Sequence, residues 1–131
     1  MSGNLLYING ANIHDIASFY AEINRVFMTG ETWRLGESLD ALDDMLYGGY
    51  GVLQNAAPAE VVWLQMEKNR TDLGVEETRR WYREKLGQPE RFNVALFQQK
   101  LNELESGRGE LFFDIVLEIF NSHSNINLRQ G

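Results

Sequence analysis

Three aspartates lie within residues 36–49, GESLDALDDMLYGG, and their carboxylates are the groups in this chain best suited to chemistry. A carboxylate accepts charge-assisted hydrogen bonds from guanidinium groups, and two carboxylates four residues apart can also face one divalent cation or divide acid and base roles. Asp40 and Asp44 have this spacing. No basic residue stands at a compensating position, so their repulsion costs a few tenths of a kcal/mol and indicates a binding surface.

A short amphipathic helix must position these carboxylates. Successive residues of a helix turn by about 100°, which separates an apolar side from an acidic side. Ser38 is suited to cap the helix start, and Gly48 with Gly49 permits the left-handed turn that ends it. The predicted apolar side comprises Leu39, Leu42, Met45 and Leu46, and the opposite side comprises Asp40, Asp43, Asp44 and Tyr47.

Metal binding and catalysis by these acids are weaker interpretations. Asp40 and Asp44 are not in a loop of alternating oxygen ligands, and no histidine or nucleophile motif is close in sequence. His14 and His123 are expected to be surface residues. We therefore predict no metal, no cofactor and no enzyme activity, and a hydrolase using the paired carboxylates remains a third option.

Negative charge is concentrated around the candidate helix. The net charge is −7, and residues 31–60 contain six acids against one base. Such a field repels nucleic-acid phosphates and attracts cationic proteins. Residues 75–86 alternate bases with acids, which is typical of a solvated surface helix, so no nucleic-acid contact is predicted.

Composition places the chain among globular proteins. It has 131 residues, 44% of them hydrophobic, and no cysteine, which suits a reducing compartment. The first ten residues lack the pattern of a secretion signal, and no apolar run is long enough to span a membrane. We expect a single domain over residues 1–131 in the cytoplasm, with no membrane contact.

Alternating patterns predict an α/β domain with parallel strands. Strands are predicted over residues 5–8, 61–66 and 111–119, the last because its odd positions are all apolar. Further helices are predicted over residues 13–27, 75–86 and 92–104. The polar tail, residues 121–131, is expected to be frayed.

The sequence resembles the barstar family, the intracellular inhibitors of secreted ribonucleases. The resemblance rests on Gly36, the Leu-Asp-Ala-Leu of residues 39–42, Asp44, and an extended start that runs through Asn9-Gly10 into a helix. It covers residues 5–66 and 92–119 and leaves the middle unmatched. It implies a small three-stranded parallel sheet packed by helices, with an enlarged helical segment over residues 67–91, before the last helix and strand.

The resemblance also implies a mechanism. In the family, two acids that match Asp40 and Asp44 enter the nuclease active site, and the segment at the helix end also touches the enzyme. An acid on the last helix contributes too, for which Glu103 and Glu105 are both candidates. Compact members carry two aromatics where this chain has Arg34 and Leu35. The implied partner-binding residues are Gly36, Asp40, Asp43, Asp44, Tyr47 and Gly48.

Two function classes follow from this resemblance. The first is an immunity-type inhibitor, a monomer that binds a basic ribonuclease one to one. The second is an interaction module on the same fold that uses its acidic face for a basic partner other than a nuclease. Inhibition of catalysis separates the two classes, whereas salt dependence does not, because both associations are electrostatically steered.

Overall fold

The computed structural model describes residues 4–131. Within that range the strands are β1 (Asn4–Asn9), β2 (Ala59–Leu64) and β3 (Ile126–Gln130). The α-helices are α1 (Ile16–Phe27), α2 (Leu39–Tyr47), α3 (Met66–Asp72), α4 (Val75–Leu86), α5 (Val94–Glu105) and α6 (Phe112–Asn121). Two short 3-10 segments, Gly10–Asn12 and Gly51–Ala56, follow β1 and α2. No helix in this range combines the length and apolar character needed to cross a membrane.

The three strands form one parallel sheet in the order β1-β2-β3. In this register Ile8 of β1 lies beside Trp63 of β2, which lies beside Gln130 of β3. Parallel neighbours require crossover connections, and the helices supply them. The predicted α/β class with a three-stranded parallel sheet is therefore confirmed. Residues 67–91, predicted as an enlarged helical segment, hold most of α3 and all of α4, and α5 follows them.

The main core lies between one face of the sheet and the helices. Trp63 is fully buried at its centre, with Phe19 stacked at 6.1 Å and Phe113 at 5.6 Å between ring centroids. The Trp63 indole N–H donates to Oδ1 of Asn69 at 2.7 Å, so its polar group is satisfied in the interior. This bond ties α3, which the sequence analysis did not predict, to the central strand.

Helices α4 and α5 form a hairpin with a small core of its own. Tyr82, Leu101 and Leu104 are buried in it. Trp81 connects this cluster to the main core, since its ring meets Phe112 edge-on at 5.1 Å. The hairpin is thus attached along one side of the domain.

The strand predicted over residues 111–119 is wrong, because this segment is the helix α6. Eight of the ten residues over positions 111–120 are apolar, so the segment satisfies a period of two and a period of 3.6 together. In the structure, the apolar residues that are buried have the helical spacing. Phe112, Phe113, Val116 and Phe120 are the residues of α6 that are buried.

The expected frayed tail is also wrong, since it contains the last strand, β3. Ile126 is buried and Leu128 is half-buried, while Asn127 and Arg129 lie on the other face. Arg129 pairs there with Glu60 of β2. An edge strand with one solvent-facing side has too few apolar residues to be recognised from its sequence alone.

Candidate partner-binding site

Helix α2 begins at a serine and ends at a glycine, as the sequence predicts. Ser38 Oγ accepts a hydrogen bond from the Ala41 N–H at 3.2 Å, which satisfies one of the N–H groups left unpaired at a helix start. Gly48 has a φ of 94°, the left-handed conformation that closes many helices. These two residues fix the length of the acidic surface.

The rotation of α2 is set by its buried side. Leu42, Met45 and Leu46 are fully buried in the main core. The opposite side therefore faces solvent, and Asp40 and Asp44 are both exposed. Neither carboxylate forms an ion pair with any residue between positions 4 and 131. Both are free to accept hydrogen bonds from another molecule.

Asp43 differs from the other two acids because it has an internal partner. Its Oδ1 lies 2.7 Å from Nε2 of His123, in the loop between α6 and β3. The Asp43 side chain keeps 38% of its exposure, while the imidazole keeps 2%. An ionised carboxylate can only accept, so His123 Nε2 carries the proton and donates. The expectation that His123 is a surface residue is therefore wrong.

Tyr47 completes this arrangement at the end of α2. Its ring meets the His123 imidazole edge-on, with 4.5 Å between ring centroids. Tyr47 nevertheless remains 67% exposed. One side of the phenol is held in place and the other is available for contact.

Gly48 lies beneath the surface and shapes it through the backbone. A Cβ atom at Gly48 would lie 2.5 Å from backbone atoms of Ala56, and the Gly48 carbonyl accepts a hydrogen bond from the Asn55 N–H at 2.8 Å. Glycine is therefore required both by the left-handed φ and by this close approach. Gly36 is different, because a Cβ there would meet nothing within 4 Å.

The residues just before Gly36 divide between core and surface. Leu35 is buried, and its N–H donates to Oδ1 of Asn24 at 2.7 Å, which anchors the approach to α2. Arg34 is exposed. At the two positions where the resemblance implies aromatics, this chain thus has one anchoring residue and one exposed cation.

An aromatic pair that the sequence analysis did not assign to the site lies near Asp44. Trp33 is 45% exposed, and its ring meets that of Tyr50 edge-on at 4.7 Å. Burial raises the pKa of Tyr50, and the negative charge of Asp44 raises it further. Exposed tryptophans are enriched in binding hot spots, so Trp33 joins the candidate surface.

Glu118 is a further candidate for the acid on the last helix. Glu103 and Glu105 lie on α5, and Glu105 is paired with Arg79 of α4 at 2.5 Å. The last helix is α6, where Glu118 is exposed and lines the same cleft as Asp40. Glu118 was not among the residues predicted from the sequence because residues 111–119 were predicted as a strand, whereas a helical spacing of the apolar residues places Glu118 on the exposed side of a helix.

The negative charges at the start of α2 also act on a buried phenol, that of Tyr20. Burial raises the pKa of the Tyr20 phenol, and Glu37 and Asp40 raise it further. An ionised phenolate would lose hydration in this buried position and would be repelled by those two carboxylates. Tyr20 therefore stays protonated beside the start of α2.

Comparison with known proteins now identifies the family. The model of the barstar family, described as Barstar (barnase inhibitor), matches residues 4–92, about two thirds of the chain. The match includes the segment over residues 67–91 that the resemblance left unmatched, and it ends before α5. No curated protein matches the chain. The matched residues include β1, α1, β2 and the acidic helix α2, and the chain belongs to the barstar family.

Proposed function

We propose that this protein inhibits a basic ribonuclease by placing the acidic side of α2 in the enzyme's active site. Members of the family are inhibitors rather than enzymes, and the family description names a ribonuclease, barnase, as the target. The observation that carries the proposal is the exposure of Asp40 and Asp44, neither of which has an ion-pair partner among residues 4–131. The complex is proposed to be one to one, with the inhibitor a cytoplasmic monomer.

The chemical basis of the proposal is mimicry of a phosphate. A ribonuclease holds the substrate phosphate with cationic side chains, and carboxylates accept the same charge-assisted hydrogen bonds from guanidinium groups. Asp44 is proposed as the central anchor and Asp40 as a supporting acid. Tyr47 supplies a preoriented aromatic contact, since its ring is already held against His123. Gly36 and Gly48 contribute through the backbone at either end of α2.

Asp43 has a different role in this proposal. Its carboxylate is already hydrogen-bonded to His123, so pairing with the enzyme would compete with that bond. Its charge still adds to the field that attracts a basic enzyme. We therefore assign Asp43 to steering and to holding α2 in position, and not to anchoring the partner.

Glu118 extends the acidic surface beyond α2. It is exposed on α6 and lines one cleft together with Asp40. A basic enzyme that covers Asp40 would also approach this carboxylate. We propose that Glu118 is the last-helix acid that the family resemblance implies.

The proposal is tested by affinity capture from the native cell lysate and culture medium. The wild-type chain and the Asp40→Ala/Asp44→Ala variant serve as matched baits, and each eluate is assayed for RNA cleavage after denaturation and refolding. We expect a basic ribonuclease to be recovered by the wild type only. Equal recovery by the double variant would contradict the site, and a basic partner without ribonuclease activity would favour the interaction module instead.

A further inference from the structure

An open cleft of about 650 Å³ lies between the start of α2 and the α4–α5 hairpin. One wall carries the acids Glu37, Asp40 and Glu118, and a fourth lining acid, Glu110, follows the hairpin. The other wall carries the bases Lys85, Arg91 and Lys100. This volume falls within the range of about 300–1,000 Å³ that is usual for clefts enclosing a ligand. The cleft can therefore take several side chains.

The charges on the two walls are not paired with one another. Among residues 4–131, none of these four acids and three bases takes part in an ion pair. The contrast with the rest of the hairpin is clear, because Arg79 and Arg80 each contact two glutamates. The cleft thus keeps charges of both signs available.

The basic wall is organised by aromatic rings. The ammonium group of Lys85 lies 4.2 Å from the centroid of Phe92 and 5.1 Å from that of Trp81. Burial lowers the pKa of Lys85, and the rings stabilise its cation. Arg91 is exposed and Lys100 is half-buried, and both line the cleft. These two residues are the cations best placed to meet a ligand.

We propose that this cleft admits a loop of the ribonuclease that α2 binds. A basic side chain of the loop would face Asp40 and Glu118, and a neighbouring acidic side chain would face Arg91 and Lys100. This inference rests on the proposed function and adds a determinant of partner choice. A nuclease without the acidic side chain would leave the two cations unpaired at the interface, which disfavours it.

The charge pattern selects this occupant over others. A nucleic-acid strand would bring phosphates against four carboxylates, and a purely basic segment would meet Arg91 and Lys100. A segment bearing both signs complements both walls. Asp40 belongs to the acidic wall and also to the exposed side of α2, so one partner can cover the helix and enter the cleft together.

Short synthetic peptides test the cleft without a nuclease. Each peptide is blocked at both ends and contains one arginine and one aspartate. The two residues are adjacent in the first peptide and are separated by one glycine in the second and by two glycines in the third. The analogues replace the arginine with glutamine or the aspartate with asparagine. Binding is followed by NMR through the backbone amides of Asp40 and Lys100. We expect the best bipolar peptide to bind about fivefold more tightly than either of its analogues.

Variants of the basic wall provide the control. Lys100→Ala should reduce the preference for aspartate over asparagine, and Arg91→Ala/Lys100→Ala should abolish it. Arg83→Ala removes a charge from an exposed residue of α4 that does not line the cleft, and it should preserve the preference. If no bipolar peptide gives a saturable shift at these amides, or if the analogues bind equally well, the cleft proposal is overturned.

Inhibition assays separate this proposal from the one on which it rests. With a ribonuclease that the wild type inhibits, Lys100→Glu should weaken inhibition about tenfold and Arg83→Glu by less than about twofold. Equal inhibition by wild type and Lys100→Glu would overturn the cleft proposal and leave the acidic helix in place. If the wild type inhibits no ribonuclease, the proposed function fails and the peptide titration alone decides the cleft.

Discussion

Nε2 of His123 lies 2.7 Å from Oδ1 of Asp43, and this hydrogen bond joins the loop after α6 to the middle of the acidic helix. Tyr47, one turn further along α2, packs against the same imidazole. A buried side chain remote in sequence therefore contacts α2 at two places, its middle and its aromatic end. His123 thus supports the candidate binding surface although it is itself buried.

The first prediction concerns this contact. His123→Ala and Asp43→Ala should each lower the free energy of unfolding by about 1–3 kcal/mol, because each leaves its partner without a hydrogen bond. In a double-mutant cycle measured by urea denaturation, the two effects should be coupled by about 1 kcal/mol or more. Strictly additive effects would show that the bond contributes nothing to stability.

The second prediction concerns Gly48. Gly48→Ala should lower the free energy of unfolding by about 2–4 kcal/mol, since it forces a left-handed φ on alanine and places its Cβ against the Ala56 backbone. Gly49→Ala is the matched control, because a Cβ there meets nothing within 4 Å. Thermal or denaturant unfolding of the two variants measures the difference. Equal stability would contradict the close approach.

The third prediction concerns a buried carboxylate away from the site. Glu22 accepts hydrogen bonds from Arg25, the Asn12 side chain and the Asn9 N–H. Burial alone would raise its pKa, but these bonds outweigh burial and hold the pKa below the ordinary value of 4.5. Glu22→Gln should therefore cost about 2 kcal/mol at neutral pH.

The pH dependence of that cost has a definite sign. A lowered folded-state pKa stabilises the protein above the unfolded value, and the contribution disappears as the pH falls through the folded value. The difference between wild type and Glu22→Gln should thus be constant near neutrality and shrink below about pH 4.5. Exposed Glu67→Gln is the control and should show little difference at any pH. A gap that widens on acidification would contradict this account.

The fourth prediction separates the candidate acids of the last helix. Glu118→Gln should weaken binding to the ribonuclease about tenfold, because it removes a carboxylate that lines the same cleft as Asp40 and has no ion-pair partner among residues 4–131. Glu105→Gln should leave affinity unchanged and have little effect on stability, since it breaks an exposed pair with Arg79. Titration calorimetry measures both affinities. A larger loss of affinity for Glu105→Gln would restore α5 to the interface.

The acidic helix could be predicted from sequence because all of its determinants are local. Ser38, the apolar positions and Gly48 lie within eleven residues, and the structure places each in its predicted role. The first two strands and the helices α4 and α5 were also predicted. Most of their predicted end residues differ from the observed ones by one or two positions. Helix α3 was not predicted, because it is only seven residues long. It is held to the central strand by the hydrogen bond between Asn69 and Trp63.

The remaining features depend on contacts between distant residues. Residues 111–119 carry apolar side chains suited to either a strand or a helix, and packing against the core decides between them. Ile126–Gln130 becomes a strand because β2 offers a free edge, which the polar sequence does not reveal. The bond between Asp43 and His123 spans 80 residues, so no local pattern could show it.

The final prediction is the most direct test of the account. RNA cleavage by a purified target ribonuclease is measured against a short RNA substrate with wild type, Asp44→Ala and Asp43→Ala as inhibitors. We predict competitive inhibition by the wild type, a loss of about 2–5 kcal/mol of binding free energy for Asp44→Ala, and a loss below about 1 kcal/mol for Asp43→Ala. Non-competitive inhibition, or equal affinities for the two variants, would contradict an acidic helix anchored in the active site by Asp44.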